Sequence, residues 1–340
     1  MFNAVTIGST THDTFLEGDF ILVPWKKVES GKAYLFPLGE KLAVKRAYFT
    51  VGGNAVNASV TFARNGLRTA CVAKVGDDFL GKEIKERLKN EGVENKFIVS
   101  AKNQRTSYST LLLENGERTI LEYRAVANSF SLKDIDMKKV RAKWWYISLP
   151  GESHKMFGNI ADFGRRNKIA IAFNPSGYHI KNGKKEILAN ISKLSFMVLN
   201  EEEAALLTGI SFKNEKAVFK KLDRLTPGIL AVTDGKNGVT VSDGRLIYRA
   251  GVFKEKKLID RTGAGDAFGS GFVAGLINKG ANPQNIASVK PDDVCYAIRL
   301  ATANATSVVE KIGATEGVIR KKEFEKNGRW KSLKITVHKI

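Results

Sequence analysis

Apolar residues follow two rhythms along this chain. Short continuous runs, such as Ala4-Val5-Thr6-Ile7 and Trp144-Trp145-Tyr146-Ile147-Ser148-Leu149, have the length and the β-branched or aromatic content of buried strands. Longer stretches between them carry apolar residues at helical spacing. From about residue 125 the two alternate, with strands over 144–149, 169–173, 196–199 and 229–233 and helices in the gaps. This alternation predicts a mostly parallel sheet with helices on both faces. The strand ends are polar: 4–7 runs into Gly8-Ser9-Thr10-Thr11-His12-Asp13, 169–173 into Asn174-Pro175-Ser176, and 229–233 into Asp234-Gly235. Open α/β sheets bind ligands beyond the carboxyl ends of their strands, which makes Asp13 a candidate ligand contact, although an ordinary turn would also accept it.

Two stretches break the rhythm. Residues 15–49 mix aromatic and β-branched residues with charges and turn formers, as in Phe20-Ile21-Leu22-Val23-Pro24 and Ala33-Tyr34-Leu35-Phe36-Pro37. Residues 106–123 read as a hairpin, with Glu114-Asn115-Gly116-Glu117 as its turn. Both predict short strands lying off the main core.

The chemistry concentrates at Asp260-Arg261-Thr262-Gly263-Ala264-Gly265-Asp266, followed by an apolar helical run over 267–276. The glycines allow a sharp turn and close approach to a ligand. The first N–H groups of the helix lack intrahelical partners, and with the helix dipole they favour an anion. A carboxylate beside such a cradle suits phosphoryl transfer to a hydroxyl. Asp266 would orient the hydroxyl and take its proton, while the amides of Gly263, Ala264 and Gly265 hold the moving group. A second Gly-rich stretch, Gly52-Gly53-Asn54-Ala55-Val56-Asn57, precedes a small-residue helix ending near Gly66. Asn54 and Asn57 can donate to and accept from hydroxyls, and an Asn helix cap is the structural alternative. Asn200-x-x-Glu203 has the form of a capping box. Gly76-Asp77-Asp78-Phe79-Leu80-Gly81-Lys82-Glu83 misses a P-loop, because Glu83 stands where a hydroxyl must bind Mg²⁺. Ala43-Val44-Lys45 and Asp162-Phe163-Gly164 lack the rest of a protein-kinase signature.

Residues 260–273 resemble the C-terminal signature of the ribokinase-like (PfkB) carbohydrate and nucleoside kinases, Asp-Thr-x-Gly-Ala-Gly-Asp. The spacing Gly52, Asn57, Ser59, Gly66, Gly76 resembles that family's N-terminal signature. The likeness covers roughly residues 4–320. It implies a three-layer α/β/α sandwich with a mostly parallel central sheet and a small β lid. The core would span 1–14, 51–104 and 125–320, the lid 15–50 and 105–124, and 321–340 would be a basic C-terminal tail. The implied activity is transfer of the γ-phosphoryl group of ATP to a hydroxyl of a ribose- or fructose-type sugar, with Asp266 as the base. An adenosine-type nucleoside or a phosphosugar is an alternative acceptor, and ADP an alternative donor. The resemblance further implies that Asp13, Gly52, Gly53, Asn54 and Asn57 hold the acceptor. Asn200 and Glu203 would order Mg²⁺ and phosphate, sparsely, as Mg²⁺ keeps several waters. Thr233, Gly235 and Gly238 would form the nucleotide loop, and the helix bearing Asn304 would close over the adenine. Members that use a monovalent cation such as K⁺ place it beside the catalytic loop. Here Arg261 departs from the family pattern and offers a positive charge in the ion's stead. A homodimer through the lid is a further expectation.

The chain has 340 residues and a net charge of +20, from 55 Lys and Arg against 35 Asp and Glu. The charge is spread over small groups such as Lys26-Lys27, Arg165-Arg166 and Arg320-Lys321-Lys322, with no nucleic-acid-binding motif. A solvated basic surface is the simpler reading, and a nucleic-acid binder with a vestigial kinase site is the remote one. Cys71 and Cys295 are far apart in sequence, which fits a reducing compartment such as the cytoplasm. The first residues lack signal-peptide character, and no apolar run reaches membrane-spanning length, so no membrane association is expected.

Overall fold

The computed structural model describes residues 1–28, 30–114, 117–283 and 285–340. In chain order the elements begin with β1 (Phe2–Gly8), β2 (Thr11–Glu17), β3 (Ile21–Pro24), β4 (Lys32–Leu35), β5 (Arg46–Gly52), α1 (Asn54–Arg64), β6 (Thr69–Gly76) and α2 (Phe79–Asn90). Then come β7 (Ile98–Ala101), β8 (Tyr108–Glu114), β9 (Glu117–Tyr123), β10 (Ala142–Ser148), α3 (Phe157–Arg166), β11 (Ala170–Phe173), α4 (Gly177–Asn190), β12 (Phe196–Asn200) and α5 (Glu201–Thr208). The chain continues through α6 (Glu215–Leu225), β13 (Ile229–Thr233), β14 (Val239–Ser242), β15 (Leu246–Ala250), α7 (Ala264–Asn278), α8 (Pro291–Val309), α9 (Lys321–Lys326) and β16 (Ile335–Lys339).

The main sheet runs β16-β15-β14-β13-β12-β11-β10-β1-β6-β7. From β13 to β7 it is parallel, and β14, β15 and β16 add an antiparallel edge. Alternation along β10 shows how both faces are covered. Trp144 and Tyr146 pack with Phe62 of α1, Phe272 of α7 and Leu300 of α8. Trp145 and Ile147 pack with Phe157 and Ile160 of α3 and Ile180 of α4. A period-2 strand buried on both faces reads as a continuous apolar run, as the sequence does. The chain proceeds from β1 to β6 on one side and later resumes at β10 on the other. The crevice at the carboxyl ends of β1 and β10 is therefore the switch point where such sheets bind ligands.

A second sheet, β5-β2-β8-β9, stands over that crevice, and β3 and β4 pair with each other beyond it. The proposed hairpin turn at Asn115-Gly116 lies outside the described residues, while β8 and β9 on either side pair antiparallel. Two boundaries differ from expectation. The small sheet begins at Thr11, not after residue 14, so Asp13 is a lid residue; only Ser9 and Thr10 separate β1 from β2. Residues 321–340 are not a loose tail. Phe324 and Trp330 are buried, Trp330 packs edge-on against Phe253 at 5.1 Å, and Ile335–Lys339 pairs with β15. The lysines of that stretch suit an edge strand, where charge blocks further pairing. Among the described residues no helix is long and apolar enough to cross a membrane.

Candidate active site

The turn into α7 is built by Asp260. Its Oδ1 accepts from the Thr262 N–H (2.9 Å) and Oγ1 (2.6 Å), and its Oδ2 accepts from the Gly313 N–H (3.2 Å). That last bond fastens the loop before α7 to the loop after α8. Gly263 then takes φ +77°, and a Cβ there would overlap Ala314. Only glycine fits such a left-handed residue against backbone. The helix starts at Ala264, so the N–H groups of its first turn have no intrahelical acceptor. The Ala264 N–H is turned back to the Arg261 carbonyl at 3.3 Å, which leaves Gly265 and Asp266 as the better placed donors of that turn.

Asp266 sits in that first turn, and its carboxylate is clamped by two amides. Asn57 Nδ2 of α1 donates to Oδ2 at 2.9 Å, and Asn174 Nδ2, just past β11, donates to Oδ1 at 2.9 Å. Asp266 is only partly exposed, and loss of hydration pushes its carboxyl up to about 6, against the lowering effect of the two amides. Asn57 is buried, and its Oδ1 has no partner. That carbonyl is enclosed by the protein, so it is an unsatisfied polar atom directly beside Asp266.

The acceptor side closes with the lid. Gly53 has φ +92°, and a Cβ there would come within 2.6 Å of Ser9 O, so α1 starts flush against the end of β1. Asn54 Nδ2 donates to Ser148 Oγ at 2.6 Å, tying α1 to the end of β10, while its backbone N–H donates to Ser9 Oγ. The register of β2 places Asp13 opposite Ser109 of β8 and Thr50 of β5. Asp13 is 6% exposed, and burial pushes its carboxyl up to about 6 despite hydrogen bonds from Thr11 and Ser109. Gly52 leaves room for that carboxylate, since an added Cβ would meet Asp13 Oδ2.

On the other side of α7 lies a cleft of about 250 Å³ lined by Thr233, Gly235, Gly238, Phe253, Arg261, Ala264, Gly265 and Thr302, among others. The nucleotide-loop residues named from the sequence thus meet the amino end of α7. Lys236 and Arg261 bring positive charge to the cleft. A larger depression, about 970 Å³, opens at the amino ends of the strands near Phe2, Arg141 and Ile169, remote from these groups.

Of three further sequence-derived residues, Asn200 and Glu203 take up the capping box read from the sequence and Asn304 stands away from its expected place. Asn200 and Glu203 form a full capping box: Glu203 N–H donates to Asn200 Oδ1 (2.7 Å), and Asn200 N–H donates to Glu203 Oε2 (2.9 Å). Glu203 is pushed up by burial, and Asp266 adds to the rise, so it lies within electrostatic reach of Asp266. Asn304 cannot touch a nucleotide. It is fully buried, donates Nδ2 to Ala267 O (2.9 Å) and Thr61 Oγ1 (3.3 Å), and accepts from the Ile319 N–H (3.1 Å). It is a clip holding α1, α7 and the chain after α8 together. Asn304→Ala should lower unfolding free energy by about 2–3 kcal/mol, because it strands buried partners. Denaturant titration checks this, and an unchanged midpoint would refute the clip. Asn174, Ser148 and Ser109 enter the site without having been singled out. Their one sequence signal is a polar residue at or near the end of a buried strand.

The family model described as pfkB family carbohydrate kinase matches residues 28–321. The Bacillus subtilis ribokinase is 25% identical over 331 residues, covering 96% of this chain and 99% of that protein. The Klebsiella pneumoniae fructokinase is 29% identical over 259 residues, covering 71% and 81%. The structure of Arabidopsis thaliana ribokinase complexed with ribose and ATP superposes with a TM-score of 0.74 at 20% identity, covering 96% of this chain and 98% of that one. The signature around Asp266, the ribokinase-like fold and the match across most of the sequence agree, and the chain belongs to the pfkB family of carbohydrate kinases, phosphotransferases with an alcohol group as acceptor.

Proposed function

We propose that this protein transfers the γ-phosphoryl group of ATP to a hydroxyl of a ribose- or fructose-type sugar. The observation that carries this reading is the Asn57–Asp266–Asn174 cluster at the amino end of α7, between the acceptor crevice and the nucleotide cleft. Asp266 is the general base. It takes the proton of the attacking hydroxyl, and Asn57 and Asp13 orient the acceptor. The Gly265 and Asp266 N–H groups, with the α7 dipole, stabilise charge on the transferred group, and Gly263 sets their direction. Thr233, Gly235 and Gly238 line the nucleotide side. The lid sheet excludes water, which would otherwise take the phosphoryl group.

The donor set fits a sparsely held Mg²⁺. Among the described residues no three His, Cys, Asp or Glu side chains converge as a cage, and Asn200 and Glu203 already bond each other. They would act on the ion through water, and the ion would neutralise phosphate charge. The residues present do not call for a monovalent cation. Asp260 already joins the loop before α7 to the loop after α8 directly, and Arg261 adds positive charge nearby. Phe49, Leu121 and Tyr123 are exposed on the lid face opposite Asp13 and would suit a homodimer. The free Cys71 and Cys295 suit the cytoplasm.

The acceptor is tested by ADP formation from ATP and Mg²⁺ with ribose, fructose, 2-keto-3-deoxygluconate, adenosine, inosine, cytidine, ribose 1-phosphate and fructose 6-phosphate. Stimulation by ribose or fructose supports the proposal. Stimulation by adenosine, inosine or cytidine alone, or by a phosphosugar alone, would replace the acceptor class. No turnover with any acceptor, combined with salt-dependent retention on nucleic acid, would overturn the proposal.

A further inference from the structure

Asn174 follows β11 directly, and the mechanism above gives it no role of its own within the cluster. Its Nδ2 nevertheless donates to Asp266 Oδ1 at 2.9 Å. An amide has one donor end and one acceptor end, and only the donor end is compatible with a carboxylate. The Asp266 carboxylate itself therefore selects the Nδ2 end of Asn174. Behind it lies the Tyr146 hydroxyl on β10, which is fully buried and has no full hydrogen bond of its own. The groups that act on that hydroxyl are Asp266 and Asn174. Gly269 of α7 leaves the space it fills, since a Cβ there would stand 2.5 Å from the Tyr146 oxygen. Asn174 thus neighbours both the Asp266 carboxylate, which it holds by a hydrogen bond, and the buried Tyr146 hydroxyl.

We propose that Asn174 is a positioning residue for the base, its amide held on Asp266 Oδ1 with the buried Tyr146 packed beside it. This rests on Asp266 being the base. Asn57 is assigned to both binding and catalysis; Asn174 bonds Asp266 alone. The other groups that bear on Asp266 are Asn57 on α1 and Glu203 on α5.

A hydrogen bond to the charged form favours that form, so losing Asn174 should make Asp266 harder to ionise. In Asn174→Ala the acid limb of kcat against pH moves up by about one unit, which is tenfold in rate on that limb. At alkaline pH kcat returns to near the wild-type value, and the acceptor KM is unchanged there. Tyr146→Phe shifts the limb in the same direction by less, and the double variant shifts it no further than Asn174→Ala. ¹³C NMR titration of the Asp266 carboxyl in the free enzyme should show the same displacements. If Asn174→Ala does not fold, the Tyr146→Phe profile and titration decide. A loss equal at all pH values, or an unmoved limb and carboxyl titration, would overturn the proposal. Asp266→Asn separates the two failures. If that variant is active, the base assignment falls; if it is inactive while the limb stays fixed, only the role of Asn174 falls.

Discussion

Asp266→Asn should lower kcat by about two to four orders of magnitude, the range ascribed to a positioned general base. The substitution keeps the side chain's shape and removes its capacity to take a proton. Binding of acceptor and nucleotide should change little, because Asn57, Asp13 and the cleft residues are untouched. Two effects on stability oppose each other: one of the Asn57 and Asn174 amides loses its acceptor, and the penalty of the buried charge is removed. The folded pKa of Asp266, about 6, lies above its ordinary value of 3.8, because burial disfavours the charge. The folded protein therefore holds this proton more tightly than the unfolded chain does. The ionised carboxylate weakens the fold progressively as pH rises from about 4 to 6, and a neutral Asn removes that penalty. A cooperative fold with a melting temperature at pH 7 near that of the wild type, together with the loss of turnover, is the expected pair of results. A cooperative fold with near-wild-type kcat would remove Asp266 from the mechanism. The same ionisation sets a pH dependence. Asp13 and Asp266 both titrate near 6, so kcat/KM should fall steeply below that pH as both become protonated.

Gly263→Ala should also cost about a hundredfold or more in kcat, with the carboxylate left in place. A left-handed residue with a Cβ costs about 1–2 kcal/mol by itself. Here that Cβ also overlaps both the Cβ and the backbone of Ala314, in a loop tied to Asp260 through Gly313. Relief requires the turn before α7 to move, and that turn aims the N–H groups of Gly265 and Asp266. Removing one donor from such a hole typically costs about 10²–10³ in kcat. Acceptor KM should change far less than kcat. Retained kcat with a raised KM would mean that the turn binds substrate without stabilising the transition state.

The sequence discloses a great deal at Asp266, Gly263 and Asn57, because each belongs to a contiguous motif whose spacing carries its chemistry. The fold class was legible for a similar reason. Buried parallel strands such as β10 are continuous apolar runs, and the helices between them have their own period. The rest depended on long-range placement. Asn174 reaches Asp266 across 92 residues, a meeting made only by the order of β11, β10 and β1 in the sheet. Asp13 was recognised but misplaced, because the two residues after Gly8 suffice to pass from β1 into a different sheet, and Gly8 reads equally well as an ordinary strand end. Asn304 lies on the expected helix, but no local pattern tells which way its amide points. The edge strand β16 was hidden because the lysines around Ile335 and Val337 outweigh a short alternation.

The most direct test is to incubate the protein with ATP, Mg²⁺ and each acceptor and identify the product by mass spectrometry, with Asp266→Asn in parallel. The mechanism predicts an acceptor phosphorylated on a hydroxyl, one ADP per product, and loss of both in the variant. ATP hydrolysis without a phosphorylated acceptor, or equal product from the variant, would contradict it.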